Sequence, residues 1–346
     1  MADTKNLSPN GNAEHLLVVN HLKKYFPIKK ALHEKDSVYL KAVDDVSLTL
    51  DAGKTVGIVG ESGCGKSTLG RTILRLYEPT AGEIIFDGDH IENLKGEALR
   101  RKRPEFQMIF QDPYSSLSPR MTVGEIVSEA VRQHKIVPKT ELRGYVLDMM
   151  EKCGLQAHHY DRYPHEFSGG QRQRICIVKA LALKPKLVIC DEPTTALDVT
   201  VQKQVIKLLN DLQAKLGFAM IFVSHDLALV AEVAHNITVM YAGQVIEQAP
   251  TKELLTNPIH EYTRGLLGSV LSIESGSGRL HQVPGAVPSP RDFPKGDRFA
   301  PRSSHPRIGL DTRPVFKRVP GTEHFYSELP DEVLKANGLT PHAEVM

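Results

Sequence analysis

Gly60-Glu61-Ser62-Gly63-Cys64-Gly65-Lys66-Ser67-Thr68 satisfies the pattern G-x-x-x-x-G-K-[ST] and stands between two runs of different periodicity. Before it, Thr55-Val56-Gly57-Ile58-Val59 is β-branched and apolar; after it, Leu69 to Leu76 places apolar residues at helical spacing. Strand, glycine-rich loop and helix in that order make a phosphate-binding loop. The glycines let the backbone curl around phosphate oxygens, N–H groups and a helix N-terminus face the anion, and Lys66 reaches the β and γ phosphates. Ser67 can ligate Mg²⁺, so the ligand implied is a nucleoside triphosphate with magnesium. Cys64 lies beside Lys66 and a helix N-terminus, both of which favour thiolate, and is expected to alkylate faster than Cys153, Cys176 or Cys190.

The rest of the composition sets bounds. A chain of 346 residues has length for about two domains and a sizeable core. A net charge of +2, with 41% hydrophobic and 24% charged residues, is that of an ordinary globular protein and names no partner. No apolar run approaches a membrane span, and the polar stretch Met1 to Asn12 lacks the apolar core of a signal peptide, so a cytoplasmic location is expected. The four cysteines show no C-x-x-C spacing, which argues for free thiols rather than a disulfide framework or a zinc site.

Along the chain, residues 1–14 read as a loose polar arm. Leu16 to Val19, Val43 to Leu50 and Gly82 to Gly88 read as strands, with Tyr25-Phe26-Pro27 and a basic insert to about Lys35 between the first two. From Thr122 to Cys153 apolar residues recur at three and four, interrupted by Pro138, which predicts a helical insertion. Leu187 to Glu192 and Ala219 to His225, separated by a helical stretch from Val201 to Leu216, fit buried parallel strands. Residues 275–321 are rich in Pro, Gly, Ser and Arg and read as an irregular, surface-packed tail or a contact with a partner.

Three more stretches are expected at the phosphates. Asp191-Glu192 ends an apolar strand at the edge where open α/β sheets bind ligands: the Asp suits a Mg²⁺ shell, and the Glu can polarise a water in line with the γ phosphate. Ser168-Gly169-Gly170-Gln171 opens a helix and could receive an anion or simply cap it. His225 follows another apolar strand and reaches the same edge, although a lone histidine there is more often structural.

In this order the stretches resemble the nucleotide-binding subunits of ABC transporters over about residues 16–250. The resemblance identifies Gly60 to Thr68 as Walker A, Gln111 as the Q-loop, Ser168 to Gln171 as the signature, Asp191-Glu192 as Walker B, Asp198 within Ala196-Leu197-Asp198 as the D-loop, and His225 as the switch histidine. It implies an α/β fold of the P-loop NTPase type with an antiparallel β subdomain, a helical subdomain at about 112–175 within an ATPase domain of 15–255, and an irregular extension over 256–346. It also implies that Ser67, Gln111 and Asp191 order Mg²⁺, that Glu192 is the base, and that Ser168 and Gly169 serve the ATP of a second subunit. Adenine is expected to stack on an aromatic residue upstream of Walker A, Tyr25 in preference to Tyr39.

Ile109 to Arg120, Asn257 to Leu267 and Pro284 to Pro290 are similar to the dipeptide and oligopeptide import branch of that family. That similarity implies a second, different ATPase subunit, two membrane permeases, an extracytoplasmic peptide-binding protein and a place on the cytoplasmic face of the membrane. Relatives in the branch move nickel or glutathione, so another small solute is the alternative cargo. A soluble ABC ATPase acting on ribosomes or DNA would usually carry two motif sets or a long coiled-coil insertion; neither is present, and no nucleic-acid partner is expected. A non-hydrolysing regulatory module would be expected to carry a damaged Walker B or signature, and both are intact. Some members hold an iron–sulfur cluster in a Gly-Cys-x-Phe-x-Pro-Arg-Cys tail; this chain reads Gly296-Asp297-Arg298-Phe299-Ala300-Pro301-Arg302-Ser303, so no cluster is expected.

Overall fold

A computed structural model describes residues 15–28, 39–195, 197–275, 283–290 and 292–344. The expected polar arm and most of the basic insert lie outside the described residues. Strands β1 (Leu17–Pro27) and β2 (Tyr39–Leu50) pair antiparallel; β1 also pairs antiparallel with β4 (Ala81–Phe86), which turns through Asp87-Gly88 into β5 (Asp89–His90). Tyr25 to Pro27, read from sequence as part of a connection, continue β1, because the register with Tyr39 to Lys41 carries the pairing to its end.

The second sheet has eight strands in the order β11-β12-β10-β9-β3-β8-β7-β6. Its central strand β3 (Thr55–Val59) is buried at all five residues and runs parallel to β8 (Ala219–Ser224) and β9 (Asn236–Tyr241); β7 (Leu187–Asp191) continues the parallel set to β6 (Phe106–Ile109). Burial on both faces explains why these strands are unbroken apolar runs rather than alternating ones. On one face, α1 (Lys66–Ile73) and the four-stranded sheet bury Leu17, Val46, Ile58, Leu69, Ile84 and Phe86 together. Gly70 of α1 permits that approach, since a Cβ there would stand 3.1 Å from Ile189 Cγ2 of β7.

After α2 (Gly96–Lys102), the helical segment comprises the single turn α3 (Pro113–Ser116), α4 (Val123–Gln133), α5 (Leu142–Lys152) and α6 (Gly169–Leu181). Thr122 and Glu125 cap α4 reciprocally, and Val127, Met150 and Ile177 join one core. Helix α7 (Val199–Leu216) starts on Asp198, whose carboxylate accepts from Val201 N, and ends on Gly217 at φ 75°. α8 (Leu227–Ala231) packs on β3 where Gly57 leaves room for Val230.

β10 (Gln244–Pro250), α9 (Thr251–Thr256) and α10 (Glu261–Ser275) lead to the C-terminal segment. There residues 283–290 and 292–314 are irregular apart from the 3-10 turn at Ala300–Arg302, as expected, but the structure corrects the expectation that the segment lies on the surface. β11 (Val315–Arg318) and β12 (Phe325–Glu328) form a hairpin that extends the main sheet through β10 before α11 (Asp331–Ala336). Arg298 and Arg302 are each 5% exposed, whereas Arg307 and Arg313 face solvent and Arg291 lies outside the described residues. The segment has few aliphatic residues and packs largely through buried arginine, histidine and aromatic side chains, with Val319 and Leu334 beside them, a composition that by itself reads as surface. No helix among the described residues is long and apolar enough to cross a membrane.

Candidate nucleotide site

The loop Gly60 to Gly65 joins β3 to α1 in a path that only glycine can follow at two points. Gly60 has φ 153° and Gly65 has φ 107°, and a Cβ on either would lie 2.2 Å from Met240 O or 2.1 Å from Ala42 O. The loop is therefore pressed against the β2 and β9 ends on one side and open on the other, where a Cβ at Gly63 would meet nothing within 4 Å. Lys66 is buried and its Nζ donates to Gly60 O at 2.7 Å and Glu61 O at 3.0 Å.

Next to it, Ser67 Oγ donates to Asp191 Oδ1 at 2.6 Å. Asp191 is fully buried at the end of β7, and burial pushes its carboxyl up against the lowering effect of the Ser67 hydrogen bond. Its second oxygen lies 3.5 Å from Arg71 Nη2 but accepts no hydrogen bond. A buried carboxylate with one unsatisfied oxygen, beside a serine hydroxyl at a helix start, is a donor set that fits a hard divalent cation. Such a cation would supply the missing partner and favour the ionised form.

Glu192 follows in the left-handed region at φ 47°, which turns its side chain toward the loop. Its Oε2 accepts from Gln111 Nε2 at 3.1 Å and Thr195 Oγ1 at 3.0 Å and lies 3.5 Å from His225 Nδ1; its Oε1 is 4.0 Å from Lys66 Nζ. The start of α1, the loop after β6 and the ends of β7 and β8 with the residues that follow them thus bring together Lys66, Ser67, Gln111, Asp191, Glu192 and His225. His225 remains half exposed, open to an incoming group.

Ser168 to Gln171 and Asp198 stand apart from this cluster. Ser168 is exposed and caps α6, accepting from Gln171 N at 3.4 Å while Gln171 Oε1 accepts from Ser168 N at 3.1 Å. Gly170 lets α6 close on α7, since a Cβ there would stand 2.6 Å from Val201 Cγ1. Tyr25 is half-buried on β1, its hydroxyl donating to Asp44 and its ring centroid 5.7 Å from Lys41 Nζ; burial, then the Asp44 carboxylate, raise the phenol. Tyr39 opposes Pro27 and is 50% exposed.

Cys64 departs from expectation. It is 4% exposed, and burial pushes its thiol up despite Lys66 Nζ at 3.9 Å. Burial also pushes the Cys153 and Cys176 thiols up to about 12; the Cys64 thiol moves in the same direction, away from the thiolate that its neighbours in sequence would favour. All four cysteines are free and buried, and among the described residues no group of three or more His, Cys, Asp and Glu could hold a metal ion.

Tyr262, Arg298 and Arg302 also reach the site, and sequence reasoning did not place them there. Glu61 N donates to Tyr262 Oη at 2.9 Å, and Arg302 pairs with the Glu61 carboxylate from 241 residues away. Tyr262 belongs to the Asn257–Leu267 run, and Arg298 and Arg302 to the Gly296–Ser303 stretch, both of which the resemblance to the peptide-import branch singles out without saying what they touch.

Two family models match the chain: ABC transporter over residues 43–195, and the C-terminal region of oligopeptide and dipeptide transporters over 246–307. The oligopeptide transport ATP-binding protein AppF of Bacillus subtilis is 46% identical over 84% of this chain and 90% of its own. The dipeptide transport ATP-binding protein DppF of Haemophilus influenzae is 46% identical over 81% and 86%. Among solved structures, the ATP-binding cassette MJ0796 in a dimeric post-hydrolysis state with ADP and Pi superposes with a TM-score of 0.60 at 27% identity, over 68% of this chain and 98% of that one. The glycine-bound loop, the paired acids after β7 and the C-terminal region built onto the same sheet agree with those matches: the chain belongs to the ABC transporter family, among the ATP-binding subunits of oligopeptide and dipeptide transporters.

Proposed function

We propose that this chain hydrolyses ATP at the Lys66–Glu192 cluster to drive peptide uptake through a membrane transporter. The observation that carries the reading is the convergence of Lys66, Gln111 and His225 on Glu192, beside the Ser67–Asp191 pair. The loop amides from Gly60 to Thr68 receive the triphosphate, and Lys66 exchanges its bonds to Gly60 O and Glu61 O for phosphate oxygens. Glu192, oriented by Gln111 and Thr195, accepts the proton of the attacking water, and His225 donates toward the γ phosphate. Magnesium, when bound, offsets charge on the triphosphate, and Ser67, Asp191 and Gln111 would hold it. Adenine stacks on Tyr25, whose ring the Asp44 hydrogen bond fixes.

The exposed cap formed by Ser168, Gly169, Gly170 and Gln171, flanked by Asp198, serves a second ATP held by another ATPase subunit. That partner is a different chain of the same family, and the pair sits on the cytoplasmic face of the membrane beneath two permeases, fed by an extracytoplasmic peptide-binding protein. The helical segment that follows Gln111 carries closure of the pair to the permeases. The reading is tested by titrating ATP with magnesium into the full-length chain and its Lys66→Ala variant. Binding by the parent and its loss in the variant is the expected result; equal affinity for both would remove the loop from ATP binding.

A further inference from the structure

The C-terminal segment carries two buried arginines four residues apart: Arg302, which ends a short 3-10 turn at Ala300–Arg302 and reaches the phosphate loop, and Arg298, just before that turn. Arg302 grips Glu61 in bidentate fashion, Nη1 to Oε2 at 2.8 Å and Nη2 to Oε1 at 3.1 Å, while Nε donates to Pro284 O at 2.8 Å and Nη2 to Val283 O at 3.1 Å. Four of its five N–H groups are thereby committed, and the central guanidinium carbon lies 5.7 Å from the Tyr241 ring centroid. Arg298 pairs with Asp44, the acceptor of the Tyr25 hydroxyl, and donates to Ala242 O. An aromatic wedge of Tyr241, Tyr262 and Phe299, with centroids 4.9 to 5.9 Å apart, backs the segment, and Tyr262 Oη accepts from Glu61 N.

Glu61 is therefore held by three of its polar groups: its N–H by Tyr262, its carboxylate by Arg302, and its carbonyl by Lys66. This carboxylate is the second residue of a loop built to receive a polyanion, and unpaired it would oppose the triphosphate. The ion pair is desolvated on the arginine side, with the Arg302 side chain 4% exposed and that of Glu61 31% exposed.

We propose that Arg302 is a positioning residue for ATP: by drawing the Glu61 carboxylate away from the anion path and cancelling its charge, the C-terminal segment sets the affinity of the phosphate loop. The proposal rests on the loop's binding ATP. An uncompensated like charge beside the phosphates in a half-buried setting weakens binding on the order of tenfold or more. Local packing also depends on Arg302, so affinity and stability must be read separately.

The test is titration of ATP with magnesium into the full-length chain, with the thermal midpoint recorded for each variant. Arg302→Gln is expected to weaken ATP binding on the order of tenfold and to lower the midpoint. Adding Glu61→Gln to it should restore affinity toward the parent while the midpoint stays low, because the repelling charge has gone but the ion pair has not returned. Unchanged affinity in Arg302→Gln, or a double variant that binds as weakly as the single one, would overturn the proposal. Where Arg302→Gln does not yield a folded chain, Arg302→Lys carries the test: the retained charge without the fork should weaken binding a few-fold, and parental affinity would overturn it. A parent chain that binds no ATP would instead defeat the reading of the loop itself.

Discussion

Glu192→Gln removes a proton acceptor and leaves the shape of the site in place. The amide oxygen can still accept from Gln111 Nε2 and Thr195 Oγ1, the two hydrogen bonds of 3.1 and 3.0 Å that orient the side chain. What changes is charge. The carboxylate oxygen 4.0 Å from Lys66 Nζ carries an attraction of up to about 4 kcal/mol at a dielectric of ~20, before desolvation is counted. Without it Lys66 is freer to engage phosphate, and the γ phosphate no longer meets an anion, so ATP binding should hold or tighten. Turnover moves the other way, because a general base contributes about 10²- to 10⁴-fold, or roughly 3–5 kcal/mol of barrier. Affinity kept and rate lost is a pattern that misfolding cannot produce, since misfolding lowers both. The assay is single-turnover hydrolysis by the assembled transporter, with the matching acid of the second ATPase subunit proposed above also changed so that its site contributes nothing. Hydrolysis near the parental rate in that complex would remove Glu192 from the chemistry.

Four further outcomes can be measured. Tyr25→Ala should weaken ATP binding by about 1 kcal/mol or more, roughly fivefold, with Tyr39→Ala near the parent; the reverse result in ATP titration would move adenine to Tyr39. Glu247 is fully buried and accepts from Ile259 N at 2.7 Å, His260 N at 3.0 Å and His324 Nε2 at 2.7 Å. Burial alone would raise its carboxyl, but these donors outweigh burial and hold it below the usual carboxylate range. A depressed carboxyl stabilises the fold above its unfolded value and loses that contribution as pH falls, so the thermal midpoint should drop on acidification below about pH 4.5. His324→Phe, which leaves the carboxylate short of one donor, should cost about 2–3 kcal/mol at neutral pH; an unchanged melting curve would count against the role of this pair in anchoring β12 to β10. Chain purified without oxygen should be colourless and free of stoichiometric iron; a broad visible absorption near 400 nm with bound iron would contradict that.

What could be read from the sequence was what depends on short-range order. The runs around Ile58, Ile189 and Ile221 are unbroken because those strands are buried on both faces, and the loop between Gly60 and Gly65 declares itself because two of its turns admit no side chain. Asp191 and Glu192 could be placed at a sheet edge because a strand must end where its apolar run ends. The failures share a cause in tertiary direction. Cys64 neighbours Lys66 in sequence, but its sulfur points inward, where burial outweighs the cation. The segment around Arg298 and Arg302 reads as surface from sequence because arginine, proline and glycine rarely make cores. Its partners Asp44 and Glu61 lie more than two hundred residues away, and no local pattern encodes that pairing.

The central claim is that ATP held at Lys66 drives uptake. Its most direct measurement is peptide accumulation in proteoliposomes containing the complete transporter, with ATP and magnesium supplied on the side that this chain occupies and a labelled dipeptide with the binding protein on the other. Uptake that requires ATP and is lost in Lys66→Ala is the predicted result. Accumulation by Lys66→Ala at the parental rate, or a parent complex that hydrolyses ATP without moving peptide, would contradict it.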